Sequence, residues 1–359
     1  MTNIALIGCT GSIGKQVCSV VRRYPERFRF SALVCGTDAE ALKALEAEFR
    51  PKISCLAAEA GEGIFDDCDV AFIAASGFSG LSYTLQAARA GKKIALANKE
   101  SLVCGGELVM REVEKYGVDL VPVDSEHSAL FQALGFRRDT PFAKLVLTAS
   151  GGPFLHCSKE ELSRVTAQDA LRHPTWNMGA KITVDSATLL NKGYEIIEAK
   201  WLYRADFAQI EAIVHPESIV HSLVYFEDGA AIAQLGYPDM RLPIQLALTY
   251  PERLPCCETL DLASLGALHF ERLPQEKFLC FRLALEAGKA GGTLPTVLNG
   301  AAEIAVRAFL LGRISFPQIA ETIDGALCRI PREEATSFEA LTAADGAARA
   351  YATELIYGK

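Results

Sequence analysis

Ile4-Ala-Leu-Ile-Gly8-Cys-Thr-Gly11-Ser-Ile-Gly14 is the stretch that decides the fold. Ile4 to Ile7 is a short apolar run that reads as a strand, and Val17, Val20 and Val21 then recur on one helical face. Strand, glycine-rich turn and helix is the layout that presents backbone N–H groups and a helix N-terminus to a pyrophosphate. The spacing is G-x-x-G-x-x-G rather than G-x-G-x-x-G, so the position directly after the first strand carries the reading. An ordinary βα turn in a nucleotide-free sheet has the same local pattern. Downstream, Phe28 to Val34, Val70 to Ala74 and Lys93 to Ala97 read as strands. They alternate with helices at Ala39 to Phe49 and through Leu81, Leu85 and Ala88. This alternation predicts an α/β fold whose N-terminal part, residues 1–122, is a Rossmann-like, doubly wound parallel sheet.

The 359 residues, half of them apolar and 22% charged, leave ample room for buried cores. A net charge of −8 argues against nucleic acid or an anionic membrane as partner. Eleven scattered cysteines, without a C-x-x-C pair, fit a reducing compartment better than a disulfide framework or zinc site. The chain enters its first strand without a charged leader, and no apolar run is long enough to span a bilayer. A cytoplasmic protein is expected.

The chemistry concentrates in a few polar clusters. Val121-Pro-Val-Asp-Ser-Glu-His127 ends an apolar run in Asp124 and Glu126, at the strand end where open α/β sheets bind ligands. Two carboxylates so close repel unless a proton or a hard divalent ion lies between them. Alternatively, Asp124 and Ser125 cap the following helix. Asn98-Lys99-Glu100 is another polar triplet at a strand end, where Lys99 can bind an anion or polarise a carbonyl. Ser150 precedes two glycines and can offer a hydroxyl with close backbone approach. Arg172 to Gly179 is a loop whose Trp176 and Met178 suit a lid that excludes water. A helix opening near Asp185 or Ser186 would place Asn191, Lys192 and Glu195 on one face, with Gly193 permitting a close approach.

Residues 123–250 read as a catalytic and dimerisation domain with a flap near 170–180 and an antiparallel-containing sheet from Ile213 to Leu235. Residues 251–274 read as a linker, and 275–359 as a C-terminal helical bundle. Cys35-Gly36-Thr37-Asp38 ends the second strand, where an acid favours a free ribose hydroxyl and a basic residue a 2′-phosphate. A plain dehydrogenase makes no use of three carboxylates on two segments. A catalytically silent dinucleotide-binding protein would not need Asp124, Glu126, Glu195 and His173 together.

The motifs also carry a resemblance. Gly8 to Gly14, Ala97-Asn-Lys-Glu-Ser101, Val123-Asp-Ser-Glu-His127, Ala149-Ser-Gly-Gly-Pro-Phe154, His173-Pro-x-Trp-x-Met-Gly179, Val184 to Glu195 and Gly291-Gly-Thr-x-Pro-Thr-Val-Leu-Asn299 occur in this order. Along essentially the whole chain the sequence resembles the 1-deoxy-D-xylulose 5-phosphate reductoisomerases. That resemblance implies NADPH-dependent conversion of 1-deoxy-D-xylulose 5-phosphate to 2-C-methyl-D-erythritol 4-phosphate, an isoprenoid precursor, with Mg²⁺, Mn²⁺ or Co²⁺. It implies Asp124, Glu126 and Glu195 as metal ligands, and Lys99, Glu126, His173 and Glu195 in catalysis. Lys99, Ser125, Glu126, Ser150, His173, Ser186, Asn191, Lys192 and Glu195 would hold the sugar phosphate, with Ser150, Ser186, Asn191 and Lys192 on its phosphate. Thr10, Gly11, Ser12, Ile13, Gly36, Thr37, Asp38, Asn98, Glu100 and Gly179 would line the cofactor. Trp176 and Met178 would form the flap. A homodimer is implied. Thr37-Asp38 stands where the family commonly has a basic and an Asn residue.

Overall fold

In the computed structural model, every residue except Glu62, Pro174, Asn177 and Lys359 is described; Pro174 and Asn177 fall within the stretch read as a lid. The chain opens with β1 (Thr2–Ile7), α1 (Ser12–Arg23), β2 (Phe28–Cys35), α2 (Ala39–Phe49), β3 (Ile53–Leu56), β4 (Val70–Ile73) and α3 (Ser79–Arg89). It continues with β5 (Lys93–Leu96), α4 (Glu100–Tyr116) and β6 (Leu120–Pro122). All six strands pair in parallel, in the order β3-β2-β1-β4-β5-β6. β4 and β5 are buried along almost their whole length, as strands covered on both faces must be. β3 was not anticipated; it is short, half-buried and follows Pro51, so its apolar signal is weak.

The strand order reverses between β1 and β4, and the glycine turn sits at that switch point. Gly8 has φ +89, and a Cβ there would lie 2.5 Å from the Ala74 carbonyl oxygen. A Cβ on Gly14 would lie 2.3 Å from the Gly8 carbonyl oxygen. Both positions therefore exclude any side chain, and the turn stays tight against the sheet.

A second sheet follows α5 (Ser125–Ala133). It comprises β7 (Lys144–Ala149), β8 (Ile210–Val214), β9 (Val220–Tyr225), β10 (Ala231–Leu235) and β11 (Glu271–Arg272), in the order β10-β9-β7-β8-β11. Only β7 and β8 pair in parallel; the other pairings are antiparallel. Between β7 and β8 run the single-turn helices α6 (Lys159–Leu162) and α7 (Ala167–Ala170), then α8 (Ala180–Ala187) and α9 (Leu190–Tyr203). α9 packs on β7 and β8, and α5 packs on β9 and β10.

The single helix expected from Asp185 or Ser186 onward is instead two. α8 starts earlier and ends at Ala187, and Leu189 takes φ +55 before α9 begins. Thr188 explains the break. Its hydroxyl donates to the Val184 carbonyl at 3.1 Å and accepts from the Leu190 N–H at 3.4 Å, a side-chain substitute for the helical ladder. Gly193 does permit a close approach: a Cβ there would lie 2.4 Å from Ala284 Cβ.

α10 (Arg241–Thr249) packs against α1, and Ile244, Ala247 and Leu248 join the core under the first sheet. The stretch 251–274 is not bare linker: it contains α11 (Leu262–Leu265), and β11 extends the second sheet. The tail forms α12 (Leu279–Ala290), α13 (Leu294–Leu310), α14 (Phe316–Arg329) and α15 (Phe338–Tyr357). α13 is its nearly all-buried centre, and α4 and α9 pack against this bundle, so both sheets share its support.

Candidate active site

Val123 is fully buried at the end of β6, and the chain then turns into α5 at Asp124. Asp124 does cap that helix, accepting from the Glu126 N–H at 3.4 Å. The cap and the ligand reading are compatible, because the cap engages one oxygen. Asp124, Glu126 and Glu195 each offer an oxygen within 4.8 Å of the other two, so α5 and α9 bring the three carboxylates together. Lys99 Nζ lies 2.7 Å from Asp124 and 3.1 Å from Glu195. Lys192 donates to Glu126 at 3.0 Å, to the Thr148 carbonyl at 2.5 Å, and to Glu195. Asn191 accepts from Lys99 at 2.6 Å and donates to Glu195. Ser125 donates to Glu126 at 2.5 Å.

The electrostatics mark this cluster as a place for a cation. Burial, and then the charge of Glu195, push the Glu126 carboxyl up to about 7. Asp124 is held well below the usual carboxylate range: burial opposes ionisation, but Lys99 and His127 outweigh it. Burial likewise disfavours charge on Lys192, and Glu126 and Glu195 reverse that. Three oxygen donors, one of which burial and a neighbouring carboxylate push up to about 7, fit a hard divalent ion.

Two residues behind this cluster received no role from the sequence. His127 Nε2 lies 2.9 Å from the Glu195 carbonyl, while Nδ1 is 3.7 Å from Asp124 and 3.5 Å from Glu198. His127 and Glu198 are buried beside the carboxylates, and the contact of His127 with the Glu195 carbonyl ties α5 to α9. The signal was present: Glu198 is one turn from Glu195, and His127 is one turn from Asp124.

A second constellation lies along the same cavity. His173 Nε2 is 3.1 Å from Ser150 Oγ and 3.2 Å from Ser186 Oγ. Its Nδ1 accepts the N–H groups of Thr175 and Trp176 at 3.2 and 2.9 Å, which places the proton on Nε2. Burial pushes this imidazole down to about 4, so it stays neutral. Ser150, His173 and Ser186 thus form one polar cradle, and Asn191 and Lys192 turn to the carboxylates instead. The cavity, about 530 Å³, also takes in Ser12, Ile13, Lys99, Ser125, Trp176, Met178 and Gly179. Lys15, Ser218, His221 and Met240 line it without any signal in the sequence.

The remaining expected cofactor residues lie outside that cavity. Thr10 and Gly11 belong to the turn, and no side chain caps the first turn of α1, which leaves its N–H groups open to an anion. Gly36, Thr37 and Asp38 are exposed at the end of β2. The Asn98 amide is fully engaged: it donates to Ala75, Gly77 and Glu100, and accepts from Ser101. Glu100 accepts from the Gly77 N–H at 3.1 Å. The side chains of Asn98 and Glu100 thus brace the loop after β4.

His221 gives a pH prediction. Burial pushes its imidazole down to about 4, below the unfolded value of about 6.5. The unfolded chain therefore binds more protons between those values, and stability falls as pH drops from about 6.5 towards 4. In metal-free melts from pH 7 to 5, His221→Gln should lose less stability than the wild type; an equal slope contradicts the assignment.

A dinucleotide turn at a topological switch point, beside a buried carboxylate triad and a Ser-His-Ser cradle, defines a metal-assisted, nicotinamide-dependent enzyme of a small polar substrate. Comparisons with known proteins narrow the class. Family models described as 1-deoxy-D-xylulose 5-phosphate reductoisomerase match residues 4–65 and 62–106, and those for its C-terminal domain match 120–203 and 235–351. The reductoisomerase of Geobacillus sp. (strain WCH70) is 47% identical, over 99% of this chain and 100% of that protein. That of Shouchella clausii (strain KSM-K16) is 48% identical, over 97% and 99%. A solved DOX-P reductoisomerase in complex with NADPH, fosmidomycin and magnesium superposes with TM-score 0.92 at 37% identity, covering 100% of both chains. The Zymomonas mobilis enzyme in complex with NADPH gives 0.90 at 36%, again over 100% of both. The chain belongs to the 1-deoxy-D-xylulose 5-phosphate reductoisomerase family.

Proposed function

We propose that this chain converts 1-deoxy-D-xylulose 5-phosphate to 2-C-methyl-D-erythritol 4-phosphate, an isoprenoid precursor, with NADPH and a divalent cation. The observation that carries the reading is the meeting of Asp124, Glu126 and Glu195, from two distant segments, in one cavity with the glycine turn. When bound, the cation polarises the substrate carbonyl and NADPH supplies the hydride that reduces the rearranged aldehyde.

The chain's own residues do the rest. Asp124, Glu126 and Glu195 would hold the cation, and His127 fixes the Glu195 backbone through its carbonyl. Lys99 and Lys192 pair with those carboxylates and would offer their ammonium groups to substrate oxygens if a cation took over the carboxylates. Ser150 and Ser186 offer hydroxyls to the phosphate, and neutral His173 donates Nε2–H. Trp176 and Met178 line the cavity and would shut out water from the aldehyde. A plain dehydrogenase leaves the carboxylate triad without a task.

The test is NADPH oxidation driven by the sugar phosphate. Chelation with EDTA should abolish it and Mg²⁺ should restore it. Turnover that survives chelation, or no substrate-dependent oxidation at all, removes the reading.

The enzyme is read as a homodimer. Tyr225, Ile232 and Leu235 are exposed apolar side chains on β9 and the edge strand β10, a surface suited to a second copy. Sedimentation should give a dimer that Ile232→Glu weakens; a monomeric wild type contradicts this. No helix among the described residues is long and apolar enough to cross a membrane. The eleven cysteines are all free, which supports the reading of a reducing, cytoplasmic setting.

A further inference from the structure

We propose that the Asp38 carboxylate takes the free 2′-hydroxyl of the cofactor's adenosine ribose, so that this chain binds NADH about as well as NADPH. The inference rests on the reading of the chain as a nicotinamide-dependent reductoisomerase. In a doubly wound sheet the residue after the second strand faces that ribose: an acid accepts from the hydroxyls, whereas an Arg accommodates a 2′-phosphate. Here β2 ends at Cys35, and Gly36, Thr37 and Asp38 follow it, exposed. A Cβ built on Gly36 meets nothing within 4 Å, so the backbone there is open to an approaching ligand.

The two stretches that border this ribose position offer a 2′-phosphate no cationic side chain. The stretches from Cys35 to Leu42 and from Leu56 to Asp67 contain no Lys or Arg. They are neighbours: Cys35 pairs with Leu56, and the Ala57 N–H donates to the Cys35 carbonyl at 2.7 Å. What they carry is acid, Asp38 and Glu40 on one and Glu59, Glu62, Asp66 and Asp67 on the other. The N-terminus of α2, the remaining place for an anion, already has one, because Asp38 Oδ1 accepts from the Ala41 N–H at 3.1 Å. Its other oxygen makes no hydrogen bond among the described residues and is available to a hydroxyl donor. Lys15, the one cation on the glycine turn and the start of α1, lines the catalytic cavity instead. A phosphomonoester of charge about −2 would therefore sit among like charges, unpaired.

Fluorescence titration of NADPH and NADH into the wild type and Asp38→Asn tests this without turnover. Asn keeps the helix cap while removing the charge. The wild-type dissociation constants should agree within about tenfold, and Asp38→Asn should shift their ratio towards NADPH by about tenfold. A wild-type preference for NADPH beyond about tenfold, or a ratio unmoved by Asp38→Asn, overturns the proposal. Steady-state rates with the sugar phosphate separate the two readings: no turnover with either cofactor, while binding behaves as stated, removes the reductoisomerase function and leaves the Asp38 assignment standing.

Discussion

Glu195→Gln should lower kcat on the order of 10³-fold or more, with NADPH binding preserved. The substitution keeps the shape of the side chain and removes one of three charges that a divalent ion needs. Loss of several kcal/mol of transition-state stabilisation corresponds to that factor, at about 1.4 kcal/mol per decade. Glu195 is buried between Lys99 and Lys192, so the variant also leaves two buried ammonium groups with fewer anions. A melt must therefore accompany the kinetics, to separate lost metal binding from lost fold. Mg²⁺ affinity should fall together with kcat. The glycine turn lies on another element, so the cofactor titration should be unchanged. A folded variant with kcat within about tenfold of the wild type would remove Glu195 from the metal site.

Gly14→Ala should weaken NADPH binding on the order of 100-fold, since a displacement of about 1 Å in a positioning element can cost that much. The added Cβ would meet backbone at both the Gly8 carbonyl oxygen, 2.3 Å away, and the Cys9 carbonyl carbon, 2.6 Å away. Neither can yield as a flexible side-chain tip would, so the turn must open and its N–H groups must leave their positions. The carboxylate triad belongs to α5 and α9, and Mg²⁺ binding should persist in this variant. A dissociation constant for NADPH within about threefold of the wild type would show that the turn does not hold the pyrophosphate.

The two variants probe features that differ in how far apart in the chain their parts lie. The turn, the parallel strands and the four helices of the tail were legible because each is a short-range pattern: period two or a solid apolar run for strands, period 3.6 for helices, glycine where no Cβ fits. The apolar spacing predicts a helix over residues 39–49, with the bounds that α2 shows. Where the local signal is weak or misleading, the reading fell short. Half-buried β3 was missed, and so was the break at Thr188 and Leu189, which a single hydroxyl imposes on an otherwise helical run.

The site divides the same way. Asp124, Glu126 and Glu195 were legible as candidates, from a strand end, a helix face and a resemblance in motif order. Their meeting was implied by the resemblance alone and not by any local pattern, because Lys192 and Glu126 lie 66 positions apart and the packing of α9 against the second sheet and α5 closes that distance. Nor could the chain alone show that His127 and Glu198 stand behind the triad, or that Asn98 is wholly engaged in bracing a loop. By itself the sequence determined which segments become strand, turn and helix, since those choices depend on neighbours a few residues away. The tertiary structure alone decided which side chains share one cavity and in what ionisation state, since burial and Coulomb interactions depend on distance in space and not along the chain.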